Sequence, residues 1–125
     1  MYLVDTNVFL EILLGQEKKE ACKRFLQDTA AGMSLSDFSL HSVGVILFRY
    51  NKEGFFLDFI RDTLPRIRLL SLPPESYSQV VSARRGHGLD FDDAYQYALA
   101  KQFGLRIVTM DRDFERTRDD SILYL

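Results

Sequence analysis

The first apolar run of this chain, Tyr2-Leu3-Val4, stops at an acid and two small polar residues, Asp5-Thr6-Asn7, and helical spacing follows at once through Val8, Phe9, Ile12 and Leu13. The same boundary recurs late in the chain, where Leu105-Arg106-Ile107-Val108-Thr109-Met110 leads into Asp111 and Asp113. Short strands separated by helical stretches close into one sheet through right-handed crossovers. Such a sheet is mostly parallel and must be covered by helices. Acids at the carboxyl ends of its strands fall at the edge where open α/β sheets bind their ligands. Hard oxygen donors gathered there suit a divalent cation such as Mg²⁺ or Mn²⁺.

Periodicity between those two boundaries fills in the rest. A helix through Leu13 is stopped by Gly15, and a second is expected from Glu17 to about Ala31, with Ala21, Cys22, Phe25 and Leu26 on one face. Met33–Ser36 is a strand candidate, and Asp37 is placed to cap the helix carrying Val43, Ile46, Leu47 and Tyr50. Gly54 is read as a break before a helical stretch from Phe55 to Leu64 that Pro65 ends. Ile67–Leu72 is the third strand, and a helix follows from Pro74 to Arg85. Gly86-His87-Gly88 reads as a flexible connection. Asp90 caps a helix to Phe103 that Gly104 closes, and Ile122–Leu125 is a last strand piece. The expectation is a single domain over residues 1–125: a three-layer α/β fold with a mostly parallel sheet of about five strands flanked by helices.

Composition narrows the class of function. The 125 residues carry a formal net charge of -2, so contact with a polyanion must come from a local patch of basic side chains. One cysteine, Cys22, excludes an internal disulfide and a cysteine-based zinc cluster. No basic, apolar leader is evident and no apolar run reaches the ~20 residues that span a bilayer, which makes a cytoplasmic location the expectation.

Leu89-Asp90-Phe91-Asp92-Asp93-Ala94 puts three acids into one helix start, with Asp90 and Asp93 neighbours on one face. Part of this is ordinary helix chemistry, because Asp90 with Asp93 approximates a capping box and acids favour the helix dipole. Three acids in four positions exceed that need, and a cation would relieve their repulsion. Asp111 and Asp113 admit a plain reading as a polar turn paired with Arg112 or Arg116, and Thr109 can orient the Asp111 carboxylate through its hydroxyl. Asp5 equally suits an N-cap, with Asn7 a turn former. The joint occurrence of these acids at sheet-edge boundaries favours a shared site.

Asp5-Thr6-Asn7 after the first strand, Asp93-Ala94 opening a helix and Thr109-Met110-Asp111-Arg112-Asp113-Phe114 after a late strand resemble the PIN-domain ribonucleases, with the nearest similarity to VapC-type toxins of bacterial toxin–antitoxin pairs. The resemblance covers essentially the whole chain in length and element order. It implies a metal-dependent endoribonuclease acting on RNA with Mg²⁺ or Mn²⁺, homodimeric and held inactive by a small antitoxin protein. Asp5, Asp93 and Asp111 match three metal-site acids of the family, Asp113 assists, and Asn7 and Thr109 match supporting polar positions. One match is missing. In the family pattern S-x-x-T-L-x-E, Ser36-Asp37-Phe38-Ser39-Leu40-His41-Ser42 puts Ser42 where the Glu is expected. Asp37 or His41, four apart, are the candidate substitutes. Arg84 and Arg85, then Arg49 and Lys52, are the candidate RNA contacts, against a plain reading of Arg84 and Arg85 as an exposed helix end.

Rival readings separate on single residues. A phosphoacceptor receiver needs an acid after its central strand, where this chain has Leu70-Ser71-Leu72-Pro73, and a late Lys where it has Asp111. A haloacid-dehalogenase-type phosphatase needs a second Asp where Asn7 stands. A PIN-like protein that binds RNA or a partner without cleaving is the stronger rival, and Ser42 is what sustains it.

Overall fold

The computed structural model describes residues 1–29 and 32–125. Its centre is a five-stranded sheet in which β1 (Tyr2–Val4), β2 (Met33–Ser36), β3 (Arg68–Leu70), β4 (Arg106–Thr109) and β5 (Leu123–Tyr124) lie in the order β3-β2-β1-β4-β5. Each neighbouring pair is parallel, with Leu3 opposite Ser34 on one side and Ile107 on the other. The expected sheet is therefore the observed one. Chain order runs outward from β1 to β3, then restarts on the other side of β1 at β4. The switch point between β1 and β4 is where such sheets leave a ligand crevice.

Alternation along the strands divides the core into two layers. Leu3 and Ile107 point to the face covered by α5 (Ser78–His87) and α6 (Phe91–Phe103), in a cluster with Leu89, Leu99 and Phe114. Val4 and Val108 point to the opposite face. There they join Val8 and Phe9 of α1 (Thr6–Leu13), Cys22 of α2 (Lys19–Asp28) and Val43 and Leu47 of α3 (Asp37–Arg49). Phe59, just beyond α4 (Glu53–Asp58), meets Phe9 edge-on at 5.2 Å between ring centres. No helix among the described residues is long and apolar enough to cross a membrane.

Several local expectations differ in detail. Helix α3 is capped by Ser36, whose hydroxyl accepts the Ser39 N–H at 2.9 Å, while Asp37 sits in the first turn. A hydroxyl at the end of a buried strand does the capping that an acid was expected to do. Gly54 lies inside α4, and the break before it is made by Asn51 at φ 56°. The stretch after α4 continues as a π turn (Phe59–Thr63) and a short 3-10 turn (Leu64–Arg66). Gly86 and His87 are helical, and Gly88 at φ 70° closes α5 in the left-handed conformation that glycine adopts freely. Helix α2 begins at Lys19, and its expected end at Ala31 lies outside the described residues.

Candidate metal centre

Three helix starts meet at the switch point. Asp5 leaves β1 as the N-cap of α1, Asp93 lies in the first turn of α6, and Asp111 leaves β4 as the N-cap of a 3-10 turn (Arg112–Thr117). Each carboxylate thus sits at the positive end of a helical segment, which eases the gathering of negative charge. They open into one cavity of about 310 Å³, lined also by Thr6, Asn7, Ser42, Asp92 and Gln96. Four carboxylates and no basic side chain line it among the described residues. Oxygens of Asp93, Asp111 and Asp113 all lie within 4.8 Å of one another.

Asp5 is the most elaborately held of the acids. It is 7% exposed. Its Oδ1 accepts the Thr6 N–H at 2.8 Å and the Gln96 amide at 3.3 Å. Its Oδ2 accepts the Thr109 hydroxyl at 2.8 Å and the Asn7 amide at 3.3 Å. Thr109 in turn accepts the Asp111 N–H at 2.9 Å, and Asn7 Oδ1 accepts the Met110 N–H at 3.3 Å. The expectation that Thr109 orients the Asp111 carboxylate is corrected: its hydroxyl holds Asp5 and fixes Asp111 through the backbone.

Burial pushes the Asp5 carboxyl above its usual range, against the Thr109, Thr6 and Gln96 hydrogen bonds that favour the charged form. Asp93 is pushed up to about 8, first by burial and then by the charges of Asp111, Asp92 and Asp5. Acids raised in this way are short of a counter-charge. The donor set, hard carboxylate oxygens on a polar cavity wall, fits a small divalent cation.

The remaining expected residues fall in three places. Ser42, where the sequence resemblance leads one to expect a Glu, lines the acid cavity. His41 lines instead a neighbouring cavity of about 430 Å³ with Arg49, which Ser42 also borders. Asp37 Oδ1 accepts the Tyr95 hydroxyl at 2.6 Å and its own neighbour's N–H, from Phe38, at 2.8 Å, and Asp37 does not line the acid cavity. Asp90 occupies the N-cap of α6 without a side-chain capping bond, so the expected capping box does not form; its carboxylate lies 3.6 Å from Arg84. Arg84 also donates to the Gly88 and Leu89 carbonyls at 3.2 Å, which fastens the end of α5 to the start of α6. Arg85 and Arg49 are exposed, and Lys52 lies over the Phe55 ring at 5.0 Å. Asp113 pairs loosely with Arg116 at 4.0 Å.

Three residues of this network were not singled out from the sequence: Thr6, Ser39 and Gln96. The Thr6 hydroxyl donates to Ser39 Oγ at 2.8 Å, and the Gln96 amide donates to the same oxygen. The available signal was spacing, since Gln96 follows Asp93 by three residues and shares its helix face. Ser39 follows the capping Ser36 by three.

The family model for the PIN domain matches residues 2–120. The chain belongs to the PIN-domain family. Its fold is similar to VapC20 from Mycobacterium tuberculosis, described as a Sarcin-Ricin loop cleaving toxin, with a TM-score of 0.83 at 17% identity over 98% of this chain and 99% of that one. FitAcB from Neisseria gonorrhoeae is similar with a TM-score of 0.80 at 24% identity, covering 100% of this chain and 97% of that one. A toxin-antitoxin complex from Klebsiella pneumoniae gives a TM-score of 0.80 at 20% identity, covering 98% and 96%. No curated protein matches by sequence. In this PIN domain the acid cavity lies at the switch point of the sheet, with Ser42 in its wall.

Proposed function

We propose that this PIN-domain protein is a divalent-metal-dependent endoribonuclease that hydrolyses RNA phosphodiester bonds, and that it is the toxin of a toxin–antitoxin pair. The observation that carries the reading is the convergence of Asp5, Asp93 and Asp111 on one cavity, with Asp113 at its edge. These residues would hold Mg²⁺ or Mn²⁺. A bound cation there lowers the pKa of water and offsets charge developing on a phosphate. The chain's own residues do the rest of the work: Thr109, Asn7, Thr6 and Gln96 keep Asp5 in one orientation, and among the described residues no basic side chain of the cavity lining competes with a cation.

An RNA strand needs basic contacts outside so acidic a cavity. Arg49 lies in the adjoining cavity and Arg85 on the exposed side of α5, and both serve that role in this reading. Arg84 assists from the same surface as Arg85, and Lys52 from the turn before α4. A small antitoxin protein is the proposed partner, supported by the toxin-antitoxin complexes among the structural neighbours, and a homodimer is the proposed assembly. A cytoplasmic location follows from that role.

The test is cleavage of single-stranded RNA in Mg²⁺ or Mn²⁺, with Asp5→Asn and excess chelator as controls. Cleavage lost in both controls supports the reading. Cleavage that survives chelation defeats it. Ser42 favours one alternative, a PIN-domain protein that binds RNA or its partner without cutting; RNA retention without turnover at any metal concentration would select it.

A further inference from the structure

We propose that Gln96 is the positioning residue of the acid cavity: it fixes Asp5 relative to Asp93 for the cation, and Ser39 acts on Asp5 through it. The inference rests on the reading of the cavity as a cation site. Gln96 is 2% exposed, a polar amide in a helix whose neighbouring positions Ala94, Tyr95, Ala98 and Leu99 are buried core. Burying an amide is costly unless its groups are bonded. Here Nε2 donates to Asp5 Oδ1 at 3.3 Å and to Ser39 Oγ, while Oε1 is buried without a partner among the described residues.

Each side-chain donor to Asp5 ties it to a different element. Thr109 ties it to β4 and Asn7 to its own helix α1. Gln96 ties it to α6, the helix that delivers Asp93, and so links the positions of the two acids. The chemistry of the side chain matters as much as its place. A Lys here would neutralise the acids and compete with a cation, and a Leu would leave Oδ1 with only the Thr6 N–H. A neutral amide orients the carboxylate and leaves its charge available. Ser39 Oγ receives both the Gln96 amide and the Thr6 hydroxyl, the latter at 2.8 Å, so it joins α3 and α1 to the same anchor. With Ser42 in place of a further carboxylate, the orientation of the remaining acids counts for more.

The experiment is calorimetric titration of Mn²⁺ alone, without RNA, into the full chain and its Gln96→Met, Ser39→Ala and doubly substituted variants, with the melting temperature of each metal-free protein. Gln96→Met keeps the length of the side chain and removes its donor. It is expected to weaken Mn²⁺ binding by about tenfold or more, the usual effect of losing a residue that orients a ligand. Its metal-free melting temperature should hold or rise, since an unpaired buried oxygen is gone. Ser39→Ala should weaken binding by roughly threefold, and the double variant should bind no more weakly than Gln96→Met, because Ser39 works through Gln96. Binding by Gln96→Met within about twofold of wild type overturns the inference and leaves the cation reading standing. Losses that multiply in the double variant overturn the route through Ser39. Should Gln96→Met not fold, Ser39→Ala decides, and unchanged affinity there overturns the proposal. Wild type that takes up no Mn²⁺ overturns the cation reading and this inference together.

Discussion

The Thr109 hydroxyl donates to Asp5 Oδ2 at 2.8 Å and accepts the Asp111 N–H at 2.9 Å, so one side chain at the end of β4 holds an acid from β1 and an acid from its own strand. Thr109 is fully buried, and no water is needed to complete either bond. Replacing it with the isosteric Val removes the donor from Asp5 and the acceptor from Asp111 without opening a void. Thr109→Val should cost about 1–3 kcal/mol of stability, the penalty for leaving buried polar groups unmade. Cation affinity should fall about 10–100-fold, as it does when a residue behind a metal ligand is lost. Chemical denaturation and Mn²⁺ titration measure the two effects, and a variant with wild-type affinity would remove Thr109 from the account of the site.

Stability of the metal-free protein should fall as pH rises. Asp93 is raised to about 8 by burial and by the charges around it, whereas in the unfolded chain it titrates near 4. Between those values the folded protein keeps a proton that the unfolded chain has released, so raising the pH favours unfolding. For one such group the slope is at most about 1.4 kcal/mol per pH unit, and it vanishes above the folded value. A divalent cation replaces that proton, so cation affinity should increase over the same interval and binding should release protons to the buffer. Melting curves at pH 5 and pH 8, with and without Mn²⁺, test both signs. Stability that climbs with pH in the metal-free protein would contradict the assignment.

Asp93→Asn should separate stability from function. The substitution keeps the side-chain shape and removes one of the charges that Asp5, Asp92 and Asp111 repel. The metal-free protein should hold or gain stability at pH 7 and above, because folding no longer has to take up a proton there or, at higher pH, bury a charge. Cation-dependent RNA cleavage should be lost. Thermal unfolding and a cleavage assay on the same preparation decide it. A variant that is both less stable and fully active would reverse the reading.

Much of this fold was legible because strand and helix periods differ and every strand was short and bounded. The alternation at Leu3 and Val4, and at Ile107 and Val108, follows from strand geometry alone and places the two core layers. The acids were legible for the same reason, since Asp5 and Asp111 each follow a strand. Side-chain partners were not. That Ser36 rather than Asp37 caps α3, and that Asp37 accepts the Tyr95 hydroxyl, depends on how β2 meets α6, which no local pattern encodes. Gln96 was hidden in the same way, because an amide in a helix reads as a surface residue until the helix is seen to be buried over most of its length.

The Tyr95 hydroxyl makes two bonds, donating to Asp37 at 2.6 Å and accepting the Leu72 N–H at 3.0 Å. It therefore ties α6 to the start of α3 and to the chain that leaves β3. Tyr95→Phe leaves the Leu72 N–H unpaired in a buried setting and should lower stability by about 1–3 kcal/mol. Asp37 is outside the acid cavity, so Mn²⁺ affinity should stay close to wild type. Tenfold weaker binding in Tyr95→Phe would mean that Asp37 contributes to the site after all.

Ser42→Glu tests how far the site depends on the position where the sequence resemblance leads one to expect an acid. Ser42 is half-buried in the wall of the cavity that holds Asp5, Asp93 and Asp111, one helical turn beyond Phe38, and Asp92 lines the same cavity. A carboxylate there adds negative charge to a cavity with no basic side chain among its described lining residues. The metal-free protein should lose stability, since Asp93 already resists ionising in the field of its neighbours. Cation binding should tighten by about tenfold, the effect of roughly 1.4 kcal/mol from an added hard oxygen ligand at a partly exposed position. The opposite signs make the pair of measurements diagnostic, because crowding alone would weaken both. Mn²⁺ titration and melting curves on Ser42→Glu, with Ser42→Gln as the uncharged control of the same size, distinguish them. Equal affinity in the Glu and Gln variants would place position 42 outside the reach of the cation and leave the site complete with the acids it has.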